Sequence, residues 1–105
     1  MSPILITPAA EEDLIGIWVY IARDNKKAAD RVYDAAENTF ELLADFPRIG
    51  TPYHPKRIQL KGIRFFPIQK YHNYIIYYKE QSGGIEIIRV LHANMEKYTR
   101  LEPKK

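Results

Sequence analysis

Apolar positions along the chain alternate between two periods, and the change of period marks the elements. Ile4-Leu5-Ile6 is short and β-branched and stops at Thr7-Pro8, which predicts a strand running directly into a helix. Thr7 can cap that helix and Pro8 suits its first position. Glu11, Glu12 and Asp13 lie near the first turn, where the helix dipole favours negative charge. Ala10, Leu14, Ile17, Trp18 and Ile21 then recur at helical spacing, predicting a helix over 8–23. Ile15, Val19 and Ala22 form a second apolar stripe beside the first. A helix apolar nearly all round must be covered on more than one side. The cover is either the chain's own tail or a partner segment laid across the helices.

Asp24-Asn25 interrupts the pattern. A second helix over about 26–46 gathers Ala29, Val32, Tyr33, Ala36, Phe40 and Leu43 on one face and Lys27, Arg31, Asp34, Asn38, Glu41 and Asp45 on the other. So short a connection makes the two helices antiparallel neighbours. Residues 47–55 hold three prolines and a glycine and read as a loop. Three strand-like runs follow, at 63–68, 74–78 and 85–91, the last two joined by a Ser82-Gly83-Gly84 turn, so an antiparallel meander is expected. Pro67 suits a sheet edge or a bulge. Strand, helical hairpin, three strands, with helices packed on one face of the sheet, is an α+β arrangement, with a polar tail from about residue 93. With 105 residues, one domain over 1–105 is expected.

Charge sharpens this division. Residues 1–47 carry four basic and nine acidic residues, a net −5, whereas 48–105 carry twelve basic and four acidic, a net +8. Either the basic half faces an anionic partner or the halves neutralise each other within one fold. There is no cysteine, which removes disulfide frameworks, thiol nucleophiles and thiolate metal sites. No apolar run approaches a membrane span, and Met1-Ser2-Pro3 has neither a basic region nor an apolar signal core, so a cytoplasmic protein is expected.

Few residues offer catalytic chemistry. His54, His72 and His92 lie on different elements, which argues against a metal site, and Ser2 and Ser82 are the only serines, one terminal and one in a turn. No phosphate-cradling glycine loop is present, and neither a metal nor a cofactor is expected. The second half interleaves cations with Tyr71, Tyr74, Tyr77, Tyr78 and Tyr98. That pattern serves single-stranded nucleic acid but fits better the tyrosines of a sheet buried on one face and half covered on the other. In strict alternation Arg89 shares a face with Ile85, Ile87 and Leu91, while Glu86 falls with Ile88, Val90 and His92. A buried guanidinium there needs a partner, either a carboxylate from the acidic helices or a ligand group arriving from outside.

Several fragments, in order, resemble the ParE toxins of type II toxin-antitoxin modules, within the RelE/ParE superfamily. They are Leu5-Ile6-Thr7-Pro8-Ala9-Ala10-Glu11-Glu12-Asp13-Leu14 with Ile17-Trp18 and Tyr20-Ile21-Ala22, and then Leu42-Leu43-Ala44-Asp45-Phe46-Pro47-Arg48-Ile49-Gly50. Leu60-Lys61-Gly62-Ile63-Arg64, Asn73-Tyr74-Ile75-Ile76-Tyr77-Tyr78 and Ile85-Glu86-Ile87-Ile88-Arg89-Val90-Leu91-His92-Ala93 complete the set. The resemblance implies the RelE/ParE fold and a toxin held inactive by a cognate, ParD-like antitoxin, with DNA contacted only through that antitoxin. RelE-like members cut messenger RNA on the ribosome without metal, whereas ParE-like members are associated with poisoning DNA gyrase.

Here Tyr74 stands where RelE-like nucleases carry an arginine, and after His92-Ala93 the chain reads Asn94-Met95, with no arginine before Arg100. Each lost donor to a transferring phosphate costs about 3 kcal/mol of transition-state stabilisation. The resemblance therefore implies a gyrase inhibitor that acts by binding and has no catalytic residue. Many ParE members also place basic residues where Asn94-Met95 stands. The expected target surface is Lys61, Arg64, Arg89, His92, Lys97 and Arg100, and the expected antitoxin surface is Ile15, Trp18, Val19 and Ala22. The alternatives are a RelE-like endonuclease using Arg64, Arg89, His92 and Tyr98, and a non-toxic partner in antitoxin-mediated autorepression.

Overall fold

A computed structural model of the chain describes residues 3–53 and 62–94. Strand β1 (Ile4–Ile6) leads into helix α1 (Pro8–Ala22), which is followed by α2 (Lys26–Asp45) and strands β2 (Thr51–Pro52), β3 (Ile63–Ile68), β4 (Tyr71–Gln81) and β5 (Gly84–His92). Both helices end within one residue of their expected limits, because their caps are encoded locally. The Thr7 hydroxyl accepts the Ala10 N–H at 3.0 Å and donates to the Ile88 carbonyl at 2.9 Å, fastening the strand-to-helix turn to β5. Asn25 Oδ1 accepts the Ala28 N–H at 3.0 Å and starts α2.

The strands form one sheet in the order β1-β5-β4-β3-β2. β1 lies parallel to β5, with Ile4 opposite Ile85 and Ile6 opposite Ile87, so the chain's first strand pairs with the last one described. Gly84 permits this, because a Cβ there would collide with the Pro3 carbonyl. The remaining pairs are antiparallel, as the meander predicts. β4 outruns its expected 74–78 span at both ends, since its backbone is bonded to neighbours whatever the polarity of His72, Asn73 or Glu80. The proline-rich loop also contributes a strand: Thr51–Pro52 pairs with Phe65 and Arg64 at the edge of the sheet, where a residue without an N–H is tolerated. Pro67 lies beyond the reach of β2, and the β3–β4 register shifts just after it.

Both helices pack on one face. Ala10 and Leu14 of α1 and Ala36, Phe40, Leu43 and Ala44 of α2 join Ile68, Ile76, Tyr78, Ile85, Ile87 and Val90 in the main core. On the opposite face Ile63, Tyr77 and Leu91 form a second cluster with Tyr53, Phe65, Ile75 and Ile88. The β4 tyrosines are therefore sheet-packing residues first: Tyr78 lies buried under the helices, and Tyr77 meets Tyr53 edge-on at 5.7 Å on the far side.

Alternation in the last strand needs correction. Tyr78 pairs with Ile87 but Tyr77 pairs with Arg89, so β5 carries one extra residue, Ile88, in a bulge. As a result Val90 joins Ile85 and Ile87 in the main core, while Leu91 turns to the other face with Ile88. The expected grouping of Arg89 with Ile85, Ile87 and Leu91 fails because one inserted residue reverses the parity downstream.

Candidate functional site

Among the described residues one ion pair joins the acidic first half to the basic second half. β1 stops at Ile6, leaving the outer side of β5 uncovered beyond Ile87, and α1 passes over that gap. Asp13 fills it: its Oδ2 accepts the Arg89 Nε–H at 2.7 Å and the Val90 N–H at 3.0 Å, and its Oδ1 accepts from Arg89 Nη2 at 2.9 Å. The bond to Asp13 raises the guanidinium pKa further and outweighs the opposing effect of burial. The partner of Arg89 is thus a helix carboxylate, and the fork-to-fork geometry fixes α1 against the sheet.

Arg64 is also committed within the fold. Its Nη1 donates to the carbonyls of Gly50 at 2.8 Å and Arg48 at 3.4 Å. The same loop is held by Tyr78, whose hydroxyl donates to the Pro47 carbonyl at 2.7 Å and accepts the Gly50 N–H at 3.0 Å. Gly50 has no room for a Cβ, which would strike the Tyr78 ring. Burial raises the Tyr78 phenol pKa above its ordinary value, keeping it protonated as the donor this loop requires.

His92 Nδ1 accepts the Asn94 N–H at 3.1 Å. With Nδ1 accepting, the ring proton lies on Nε2, which can donate. Its ring meets Tyr74 edge-on at 5.3 Å. Tyr74 and His92 belong to a cleft of about 780 Å³ between α1 and the near ends of β4 and β5. A second opening, of about 530 Å³, lies between the helices and is lined by Ile15, Trp18, Asp30, Tyr33 and Asp34. At its rim Trp18 Nε1 donates to Asp30 Oδ1 at 2.8 Å, while Ile15 and Val19 are 59% and 42% exposed.

The family model described as ParE toxin of type II toxin-antitoxin system, parDE, matches residues 4–97. The chain belongs to the ParE toxin family. Among solved structures, this ParE-family chain is similar to one described as the chromosomal ParDE TA system from P. aeruginosa. The TM-score is 0.68 over 88% of this chain and 96% of that one, at 16% identity, a likeness of fold. No curated protein sequence matches it. No helix among the described residues is long and apolar enough to cross a membrane.

Of the described residues expected at the target surface in this ParE-family chain, Arg89 and His92 line one cleft and Arg64 lies apart from it. Arg64 faces the loop after α2, Arg89 faces α1, and His92 lies at the end of β5, while Lys61, Lys97 and Arg100 fall outside the described residues, as does Tyr98. The four residues of the expected antitoxin surface do share one helix, with Ile15 and Val19 exposed and Trp18 and Ala22 half-buried. Sequence reasoning missed Asp13 as the partner of Arg89, although an acid one turn into the first helix was a visible candidate. It also missed Tyr20 and Gly16, which line the cleft beside Tyr74 and give no periodic signal.

Proposed function

We propose that this chain is a gyrase-inhibiting toxin that works by docking rather than by catalysis, acts in the cytoplasm as one domain over 1–105, and is neutralised by a cognate antitoxin. One observation carries the antitoxin half of this reading: Ile15 and Val19, both large and apolar, stand exposed along α1 beside an open groove. An amphipathic segment laid across the hairpin buries Ile15, Trp18, Val19 and Ala22. The remark "of type II toxin-antitoxin system, parDE" in the family's description agrees with such a partner.

The docking half rests on how the described candidates are engaged. Arg64 and Arg89 have their strongest donors engaged by backbone carbonyls and by Asp13, and His92 offers Nε2–H as a donor. By the resemblance, Tyr74 stands where RelE-like nucleases carry an arginine. The target surface is drawn from the basic half, with Lys61, His92, Lys97 and Arg100 carrying most of it and Arg64 and Arg89 contributing their remaining donors.

The test adds purified chain to gyrase with supercoiled DNA and, separately, to a translating extract. Accumulated gyrase-linked DNA breaks with intact messages are the expected result, and the cognate antitoxin should abolish them. Messages cut at codons, with gyrase unaffected, would replace this reading with the RelE-like one.

A further inference from the structure

Gly16 sits in the middle of α1, where glycine weakens a helix relative to alanine. Nothing among the described residues calls for it. Its φ is not among the positive values, and a Cβ added there meets nothing within 4 Å. A residue that costs helix stability without an internal reason leaves space for something outside the chain.

What that space accepts follows from its surroundings. Gly16 lines the cleft between α1 and the ends of β4 and β5, on the other flank of α1 from the Ile15 and Val19 stripe. Tyr20, 68% exposed, and Tyr74 supply aromatic walls, and they lie close enough for the Tyr20 phenol to add to the rise in the Tyr74 pKa that burial causes. Both rings present electron-rich faces. Asp13 holds Arg89 directly and Glu12 acts on it only through its charge, without a hydrogen bond, so the described lining carries two carboxylates against one guanidinium. Aromatic faces beside a carboxylate with no hydrogen-bond partner among the described residues attract a cation, and a guanidinium suits them better than an ammonium because it stacks flat and can fork onto Glu12. At the far end His92 Nε2–H offers a donor to a peptide carbonyl.

We propose that this cleft is a second antitoxin site, in which the antitoxin main chain crosses α1 at Gly16 and places an arginine between Tyr20 and Tyr74 against Glu12. The proposal rests on the antitoxin reading above and deepens it. A segment seated there also covers His92, so that neutralisation includes occlusion of part of the expected target surface.

The experiment measures binding of the full chain to its cognate antitoxin, together with the melting temperature of each free variant. Gly16→Ala should raise the free chain's Tm by about 4 °C, because it improves the helix, yet weaken antitoxin binding at least tenfold by filling the crossing point. Glu12→Gln should leave Tm nearly unchanged, weaken binding about tenfold and flatten its salt dependence. It should also be strongly non-additive with replacement of one antitoxin arginine by alanine. If the unaltered proteins bind while Gly16→Ala and Glu12→Gln bind within twofold of them, the cleft is not the site and the antitoxin reading stands. If the unaltered proteins do not bind at all, the antitoxin reading itself fails.

Discussion

The two helices of the hairpin spend their apolar residues differently. α2 is the more polar of the two, yet it buries Ala29, Val32, Ala36, Thr39, Phe40, Leu43 and Ala44, a continuous face turned to the sheet, with charged residues on the opposite side. α1 is far richer in large apolar side chains, yet among its fifteen residues only Ala10 and Leu14 are fully buried. α2 carries what this chain needs to fold, whereas α1 carries that and a surplus. Exposed surplus of that kind is costly for a protein that must stay dissolved, and it persists where something else covers it.

The contrast breaks most decisively at α2. Phe40→Ala, at a side chain only 2% exposed, should cost about 3 to 5 kcal/mol of unfolding free energy in urea titrations. A loss below about 1 kcal/mol would show that α2 is not the helix holding the core together. An intermediate effect is expected where the loop after α2 is tied down. Tyr78→Phe strands the Gly50 N–H and the Pro47 carbonyl, at about 1 to 3 kcal/mol.

The same tyrosine sets an alkaline limit. Because burial raises its folded pKa above the ordinary 10.0, its stabilisation is complete below pH 10 and is lost as pH rises through the higher folded value. Denaturation followed from pH 9 upward should steepen above 10 for the native chain and less for Tyr78→Phe, with a residual slope from Tyr74, whose pKa is also raised by burial. The smallest effect belongs to α1. Ile15→Ser should move the free chain's stability by no more than about 0.5 kcal/mol, because the side chain is already in water, while antitoxin binding in the same preparation falls sharply. A large loss of stability with unchanged binding would reverse the roles assigned to the two helices.

Helix limits, the order of elements and the surplus stripe were legible in the sequence because each depends on local chemistry: caps at Thr7 and Asn25, proline at 47, and side chains repeating at helical spacing. Features set by distant neighbours were not. The run Ile85 to Leu91 gives no sign that Ile88 is an extra residue, since apolar side chains lie on both sides of the bulge and either parity reads as a strand. Pro52 reads as a loop residue until β3 offers it an edge. The need of Arg89 for a carboxylate was readable, but its identity was not. Asp13 qualifies because α1 crosses the sheet where β1 runs out, a coincidence seventy-six positions apart in the chain. Gly16 and Tyr20 were silent for another reason: a glycine with nothing near it and an exposed tyrosine are unremarkable in one dimension.

The parallel pairing of β1 with β5 also governs when this protein can first exist during its synthesis. Ile4 to Ile6 has no partner until Ile85 to Ile87 has left the ribosome, so the nascent chain can build its helical hairpin from nearby contacts long before the sheet is able to close. For most of translation the oily helix is therefore made but not yet mounted. On the proposed reading, an antitoxin already present meets that helix before the sheet has been assembled.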